Sequence, residues 1–223
     1  MNAGRFTVPL RAVVFDMGGV LTVDPFAGMV AYAEELGIAS DHIANAVRGS
    51  AKFGQVELGA LPMRDFLKWL CGDIESQFGV RVDIRRLAAC LESGQRVSPE
   101  MPPVLAQLHR AGLRLSVLTN NAREARSWWA SGAMPLDLFE AVFDSSELGV
   151  RKPDPEVYRL VLDRLRLRGA EVVFVDDLQV NVDGALQAGM RGLVFKDAAQ
   201  CRAELFEMLA HSGPQASALP IRT

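Results

Sequence analysis

Polar side chains capable of chemistry stand directly after three short apolar segments of this chain. They comprise three carboxylates, a hydroxyl and an amide: Asp16, Thr119, Asn120, Asp176 and Asp177. A fourth polar stretch, Gly149–Pro153, adds the cation Lys152. Three carboxylates brought together repel one another and raise their own pKa values, and a bound divalent cation removes that penalty.

Oxygen ligands of this kind suit Mg²⁺, which typically uses one or two carboxylates together with a substrate phosphate. Lys152 supplies a point charge suited to phosphate, and the Thr119 hydroxyl with nearby backbone N–H groups completes an anion-binding set. Positioning and charge neutralisation dominate phosphoryl transfer, and an aspartate such as Asp16 can act as a nucleophile through an aspartyl-phosphate. The residue types therefore predict metal-assisted phosphoryl transfer.

Strands that alternate with helices would bring these groups together. We predict strands over 12–15, 113–118, 141–143, 171–175 and 192–195, with helices over 98–110, 122–131, 154–167, 181–190 and 198–209. This order is typical of an α/β fold with a Rossmann-like parallel sheet covered on both faces. Because the carboxyl ends of parallel strands share one edge, the polar groups are expected to converge there.

The block between residues 25 and 97 reads as helical and interrupts this pattern. We predict four helices in it, the first opening at Pro25, and a loop over Ala51–Leu61 because of Gly54 and Gly59. The predicted organisation is a core of residues 1–24 and 98–211 with an inserted helical domain of residues 25–97. The tail, 212–223, lacks a packable face and is expected to be disordered.

Bulk properties exclude several classes of function. The 223 residues carry a formal charge of −3, so no basic field predicts binding to nucleic acid or to an anionic membrane. No apolar run is long enough to span a bilayer, and residues 1–10 contain no signal-peptide core. Three widely spaced cysteines favour reduced, buried thiols in a cytoplasmic protein: Cys71, Cys90 and Cys201.

Four segments, in this order, resemble the motifs of the haloacid dehalogenase superfamily. They are Phe15–Val20, Leu118–Asn120, Lys152–Pro155 and Phe174–Asp177. The first is similar to the D-x-G-G-V variant of the family's opening motif, and the helical block lies where subfamily I members carry a C1 cap. The resemblance implies a three-layer Rossmann-like core with an inserted helical cap, and hydrolysis of a small phosphorylated metabolite.

The resemblance also implies roles for individual residues. Asp16 would be the nucleophile and a Mg²⁺ ligand, joined by Asp177, by Asp176 as ligand or neighbour, and by the backbone carbonyl of Gly18. Thr119, Asn120 and Lys152 would bind the transferred phosphate, and Lys152 would also neutralise Asp16. Asn181 is read equally well as support for the metal ligands or as a helix cap.

One position departs from the family pattern. Phosphatases of this family usually carry an aspartate two residues after the nucleophile as general acid, where this chain has Gly18. Three explanations are open: another acid such as Asp24 or a cap residue replaces it, the substrate has a good leaving group, or phosphatase activity is lost. Candidate substrate contacts in the cap are Arg48, Lys52, Gln55, Glu57, Arg64 and Trp69.

Two alternatives to a phosphatase remain at this point. A 2-haloacid dehalogenase uses its aspartate on carbon without a metal, and the adjacent Asp176 and Asp177 argue against that reaction because their charges would stay unneutralised. A catalytically weak phosphate-binding protein is the second alternative, and Gly18 is its motivation.

Overall fold

A five-stranded sheet forms the centre of the computed structural model, which describes residues 8–126 and 134–211. All neighbouring strands are parallel, in the order β3-β2-β1-β4-β5. The strands are β1 Ala12–Phe15, β2 Arg114–Thr119, β3 Ala141–Asp144, β4 Val172–Asp176 and β5 Arg191–Val194. The order reverses at β1, where open parallel sheets bind ligands beyond their carboxyl ends. The predicted α/β fold is confirmed.

The α-helices in the described part of the chain fall into two groups. The first group precedes β2 and comprises α1 Ala27–Glu35, α2 His42–Arg48, α3 Ala51–Glu57, α4 Met63–Phe78, α5 Ile84–Ser93 and α6 Met101–Arg110. The second comprises α7 Ser145–Leu148, α8 Pro155–Leu165, α9 Gln179–Gln187 and α10 Ala198–Ala210. The helices predicted over 98–110, 154–167, 181–190 and 198–209 correspond to α6, α8, α9 and α10, whereas α3 and α7 were not predicted.

Alternate residues of β1 face opposite layers of helices. Val13 and Phe15 belong to a buried cluster that includes residues of α6 and α10. Ala12 and Val14 belong to a second cluster, which includes residues of α8 and α9. The central strand is therefore buried on both faces, which explains why its sequence is a continuous apolar run rather than an alternation.

Helices α1 to α5 have a hydrophobic core of their own, formed by residues such as Met29, Phe66 and Leu70. The two chain segments that connect these helices to the sheet run antiparallel, with a bridge between Thr22 and Val97. The N–H of residue 23 donates to the carbonyl of residue 96, and the N–H of residue 98 to the carbonyl of residue 21, each at 2.9 Å. Paired connections of this kind fix where the helical part leaves the sheet.

The loop predicted over Ala51–Leu61 is wrong in its first half, where α3 forms. The Ser50 hydroxyl accepts hydrogen bonds from the backbone N–H groups of residues 52 and 53, which caps the helix. Burial of Val56 and Glu57 anchors its last turn. The two glycines had suggested a loop, but Gly54 is helical and only Gly59, with φ of 69°, lies in the turn that follows.

Some predictions fall outside the described residues. The helix predicted over 122–131 is described only at its start, where residues 123–125 form a 3₁₀ turn, and Trp128 and Trp129 lie in the undescribed part. The tail from residue 212 onward lies outside as well. The three cysteines are free and buried, as expected. Within 8–126 and 134–211, no helix combines the length and apolarity needed to cross a membrane.

Close packing at Gly184 predicts a specific loss of stability. A Cβ atom at this position of α9 would lie 2.8 Å from both the Pro153 carbonyl oxygen and a ring carbon of Tyr158. We expect Gly184→Ala to lower the free energy of unfolding in urea by about 1–3 kcal/mol, because backbone must shift.

The same exchange at Gly72 is the matched control. Gly72 lies within α4, and nothing lies within 4 Å of a Cβ built there. Gly72→Ala is expected to raise stability by about 0.5–1 kcal/mol, the helix-propensity gain. Equal stability of the two variants would contradict the packing argument.

Candidate active site

The end of β1 and the end of β4 lie side by side. Phe15 pairs with Val175 in the parallel register, so Asp16 and Asp176 are the next residues on neighbouring strands. The backbone N–H of Asp16 donates to the Val175 carbonyl at 2.8 Å, which extends the ladder as far as the carboxylate. Rigid strands therefore fix both side chains at the sheet edge.

A buried lysine bridges these two carboxylates. Lys152 Nζ lies 2.5 Å from Asp16 Oδ1 and 2.7 Å from Asp176 Oδ2, and all three residues are buried. Burial raises the pKa of Asp16 to about 7, although the Lys152 ammonium opposes that change. Burial lowers the pKa of Lys152, but its two carboxylate partners outweigh this effect, so the pKa is raised overall. The ammonium is therefore locked in its charged form.

Asn120 holds the lysine's backbone. Its side-chain Nδ2 donates to the Lys152 carbonyl at 3.0 Å, and its Oδ1 accepts from the Lys152 N–H at 2.9 Å. The sequence predicted phosphate binding by Thr119 and Asn120. Both residues line the cavity described below, but the Asn120 amide is engaged in positioning Lys152, whereas Thr119 brings a hydroxyl at the end of β2.

The two adjacent acids of β4 differ in their surroundings. Asp176 is fully buried, and its Oδ1 accepts from the Leu178 N–H at 2.9 Å and from Asn181 Nδ2 at 3.0 Å. With Lys152 and Asn181 also on Oδ2, the Asp176 carboxylate is saturated by protein donors. Asp177 is exposed to the cavity, and its pKa is raised by partial removal from water and by the charge of Asp176.

Asn181 is not a helix cap. It lies in the first turn of α9, two residues after the start at Gln179, and Leu178 occupies the cap position. Its side chain instead contacts both oxygens of Asp176. Of the two interpretations of Asn181, the geometry therefore supports the one in which it holds an acid of the cluster.

The residues at this edge fit a divalent cation. Carboxylate oxygens of Asp16, Asp176 and Asp177 lie within 4.8 Å of one another, and within the described ranges this is the single cluster of its kind. Three carboxylates with the one ammonium of Lys152 leave a formal charge of −2, which matches the charge of Mg²⁺. Because Asp176 is saturated, Asp16 and Asp177 are the acids with oxygens to offer.

The glycine turn after Asp16 leaves room for this arrangement. A Cβ at Gly19 would lie 2.9 Å from Asp177 Oδ2, and its φ of 77° is left-handed, so both space and backbone require glycine there. In the described ranges no backbone hydrogen bond ends on the Gly18 carbonyl, whereas the Met17 carbonyl accepts from residues 21 and 22. The Gly18 oxygen is therefore available as a further ligand.

A cavity of about 690 Å³ opens from the sheet edge towards the helices α1 to α5. Its floor includes Asp16, Gly18, Thr119, Lys152 and Asp177. A volume of this size falls within the usual range of small-molecule sites, roughly 300–1,000 Å³. Of the chemistry-bearing residues predicted from the sequence, all but Asp176 thus line this one cavity.

Only part of the expected helical contacts reach this space. Of the six candidates, Arg48 and Glu57 line the cavity, and the other four do not belong to its lining. Asp24, considered as a replacement acid, is not a lining residue either, and its Oδ1 caps the N–H of residue 26 at 2.8 Å. Arg151 was missed: it lines the cavity and forms an ion pair with Glu57.

A hydrogen-bonded connection joins α3 to the sheet beside the site. The Ser145 hydroxyl accepts from the Asn121 N–H at 3.1 Å and donates to the Glu57 carbonyl at 2.5 Å. Its neighbour Asp144, by contrast, caps α7 through the N–H and hydroxyl of Ser146. The polar end of β3 therefore holds the helical part in place.

Curated proteins similar to this chain include phosphatases and parts of longer proteins. It is 32% identical over 190 residues to acyl-CoA dehydrogenase family member 10 of Mus musculus, covering 81% of this chain and 17% of that protein. It is 26% identical to bifunctional epoxide hydrolase 2 of Rattus norvegicus, covering 95% of this chain and 41% of that protein. The chain therefore spans less than half the length of these two relatives.

A relative of similar length is the sesquiterpene phosphatase astK of Aspergillus oryzae. The two are 30% identical over 212 residues, which cover 89% of this chain and 96% of that protein.

Solved structures share the fold. A HAD family enzyme from Bacteroides thetaiotaomicron, in complex with magnesium and inorganic phosphate, superposes with a TM-score of 0.63 at 22% identity, covering 84% of this chain and 94% of that one. A dehalogenase with an intermediate complex superposes with a TM-score of 0.69 at 21% identity, covering 91% of this chain and 98% of that one.

The family comparison covers strands β1 to β4, the helices α1 to α5 and the polar residues at the sheet edge. Residues 10–189 match the haloacid dehalogenase-like hydrolases. This chain therefore belongs to the haloacid dehalogenase-like hydrolase family.

Proposed function

We propose that this hydrolase is a Mg²⁺-dependent phosphatase that acts on a small phosphorylated metabolite through an aspartyl-phosphate. The observation that carries the proposal is the cluster of Asp16, Asp176 and Asp177. Lys152 bridges Asp16 and Asp176, and Asp16, Lys152 and Asp177 line one cavity. Phosphatase relatives and a magnesium- and phosphate-bound structure of the same fold support it.

Asp16 is the nucleophile in this mechanism. One of its carboxylate oxygens attacks phosphorus, the bond from phosphorus to the ester oxygen breaks, and the leaving alkoxide takes up a proton from solvent water, since Gly18 carries no acid. Water then attacks the aspartyl-phosphate, which releases inorganic phosphate and restores Asp16. Lys152 keeps Asp16 oriented and adds positive charge beside the phosphate, and Thr119 donates its hydroxyl to a phosphate oxygen.

Mg²⁺ would be held by Asp16, Asp177 and the Gly18 carbonyl, and it would neutralise the charge of the phosphate. Asp176 then serves through Lys152, because its oxygens are occupied by Lys152, Asn181 and a backbone N–H. The bound cation also favours the ionised form of Asp16, whose pKa burial otherwise raises.

Residues 25–97 act as a cap in this proposal. They carry their own core, they are joined to the sheet by paired chain segments, and they supply the upper wall of the cavity. Specificity therefore resides in the cap, and the chemistry resides at the sheet edge.

Metal-free dehalogenation is the weaker candidate. In that reaction the charge of Asp177 would remain beside Asp16 and Asp176 with only Lys152 to balance them. The dehalogenase of similar fold, at 21% identity, supports the architecture but not the reaction.

Removing the nucleophile is the first test. We expect Asp16→Asn to lower the kcat for p-nitrophenyl phosphate on the order of 10⁴-fold, because no aspartyl-phosphate forms. Excess EDTA should abolish the wild-type activity and Mg²⁺ should restore it. The exposed Asp183→Asn, on α9, is the matched control and should retain activity. Phosphate release that persists in Asp16→Asn would overturn the proposal.

Metal binding is tested separately by thermal unfolding. Mg²⁺ at about 100 times its Kd is expected to stabilise the wild type by about 2.7 kcal/mol. Asp177→Asn should lose most of this response because a ligand oxygen with full charge is removed, whereas Asp183→Asn should keep it. An unchanged Mg²⁺ response in Asp177→Asn would exclude Asp177 as a ligand.

Restoring the family's acid at Gly18 tests the missing proton donor. A Cβ there would meet only Pro25 Cγ, at an ordinary 3.6 Å, so Gly18→Asp should fold. Its kcat/KM should rise about 10²-fold or more for alkyl phosphates and far less for p-nitrophenyl phosphate, whose leaving group needs no proton. Gly18→Asn is the control. Equal gains with Asp and Asn would contradict general acid catalysis.

A further inference from the structure

The cavity wall opposite the carboxylates is apolar. Six apolar side chains from the segment 26–91 line it, in contrast to the charged floor: Phe26, Phe53, Met63, Leu67, Ala88 and Leu91. The wall and the floor belong to one continuous space, so a molecule whose phosphate lies at Lys152 would place its remainder against these side chains.

The polar side chains that line the cavity from the segment 26–91 already have partners. Glu57 is paired with Arg151, and the Ser50 hydroxyl caps α3. The Arg48 guanidinium lies 4.1 Å from the centre of the Phe26 ring, which it covers. Glu92 and Gln95 also line the cavity, so hydroxyl groups of a substrate could bind there. Hydroxyl groups buried against the apolar side chains of the wall would stay unpaired, which is unfavourable.

Apolar side chains also flank the mouth of the cavity. Leu178 is 51% exposed and Val180 is 57% exposed, and both line the cavity immediately after Asp177. Covering exposed aliphatic side chains with an apolar ligand makes the free energy of binding more favourable. A polar ligand would not provide this contribution to binding.

We infer that the substrate is a phosphate monoester of an apolar, chain-like alcohol. Its phosphate would lie at Asp16 and Lys152, and its tail would lie between the apolar wall and Leu178. The inference rests on the proposed phosphatase function and narrows it. Electrostatic attraction would bind the phosphate, and burial of apolar surface would bind the tail.

A series of straight-chain alkyl phosphates, from ethyl to decyl and below their micelle concentrations, tests the inference. The leaving alcohols have nearly equal acidity, so chain length alone varies. We expect kcat/KM to rise about four-fold per methylene until the wall is filled, which is the transfer free energy of one buried CH₂ expressed as a rate ratio. Glycerol phosphate and glucose 6-phosphate should be poorer than butyl and hexyl phosphate.

Variants at the mouth provide the structural control. The double variant Leu178→Ser with Val180→Ser should lower the octyl-to-ethyl ratio of kcat/KM about ten-fold, because two aliphatic contacts are lost. Leu186→Ser, which alters a side chain equally exposed (50%) on the same helix but outside the cavity lining, should leave the ratio unchanged. Both changes are at exposed positions, and thermal unfolding checks that the proteins are folded.

The outcomes distinguish a wrong substrate class from a wrong reaction. If Mg²⁺- and Asp16-dependent phosphatase activity is present but kcat/KM stays flat with chain length, or favours the sugar phosphate, the apolar substrate class is wrong and the phosphatase stands. If no phosphomonoester, p-nitrophenyl phosphate included, is turned over in an Asp16-dependent way, the phosphatase itself is wrong.

Discussion

The ion cluster of Lys152 with Asp16 and Asp176 is the constraint on which the rest of the site depends. All three groups are buried, and the ammonium contacts both carboxylates within 2.7 Å. Charges in such surroundings are tolerated only when paired, and removing one partner from a buried pair typically costs about 3–5 kcal/mol. The cluster therefore fixes the Asp16 carboxylate in position, and the stability of the sheet edge depends on the Lys152 ammonium.

Several residues whose types suggest a catalytic or binding role instead hold this cluster in place. The side-chain amide of Asn120 donates to the Lys152 carbonyl and accepts from the Lys152 N–H. The Asn181 side chain donates to both oxygens of Asp176. Gly184 lets α9, which carries Asn181, approach the carbonyl of Pro153, the residue after Lys152. The result is preorganisation: the free oxygens of Asp16 and Asp177 lie at the ends of strands whose neighbouring side chains are already held by hydrogen bonds.

Helices α1 to α5 have a hydrophobic core separate from the clusters that cover the sheet. Helices α1 to α5 pack on themselves and contact the sheet edge through few polar links, such as Ser145 with the Glu57 carbonyl and Arg151 with the Glu57 carboxylate. Changes on the inner wall of these helices need not disturb the carboxylates. An apolar wall can therefore face a charged floor within one cavity.

The sequence by itself determined the sheet and its chemistry, because buried parallel strands are continuous apolar runs and their carboxyl ends share one edge. That rule places Asp16 and Asp177 at one edge, whereas Lys152 lies in a loop and its role was implied by the resemblance to the family. Tertiary structure decided what depends on contacts between distant segments: that Asp176 is saturated while Asp177 stays open, that Asn120 holds Lys152, and that α3 is a helix despite Gly54. It also decided which helical faces line the cavity, since an apolar stripe has the same pattern whether it meets a core or a ligand.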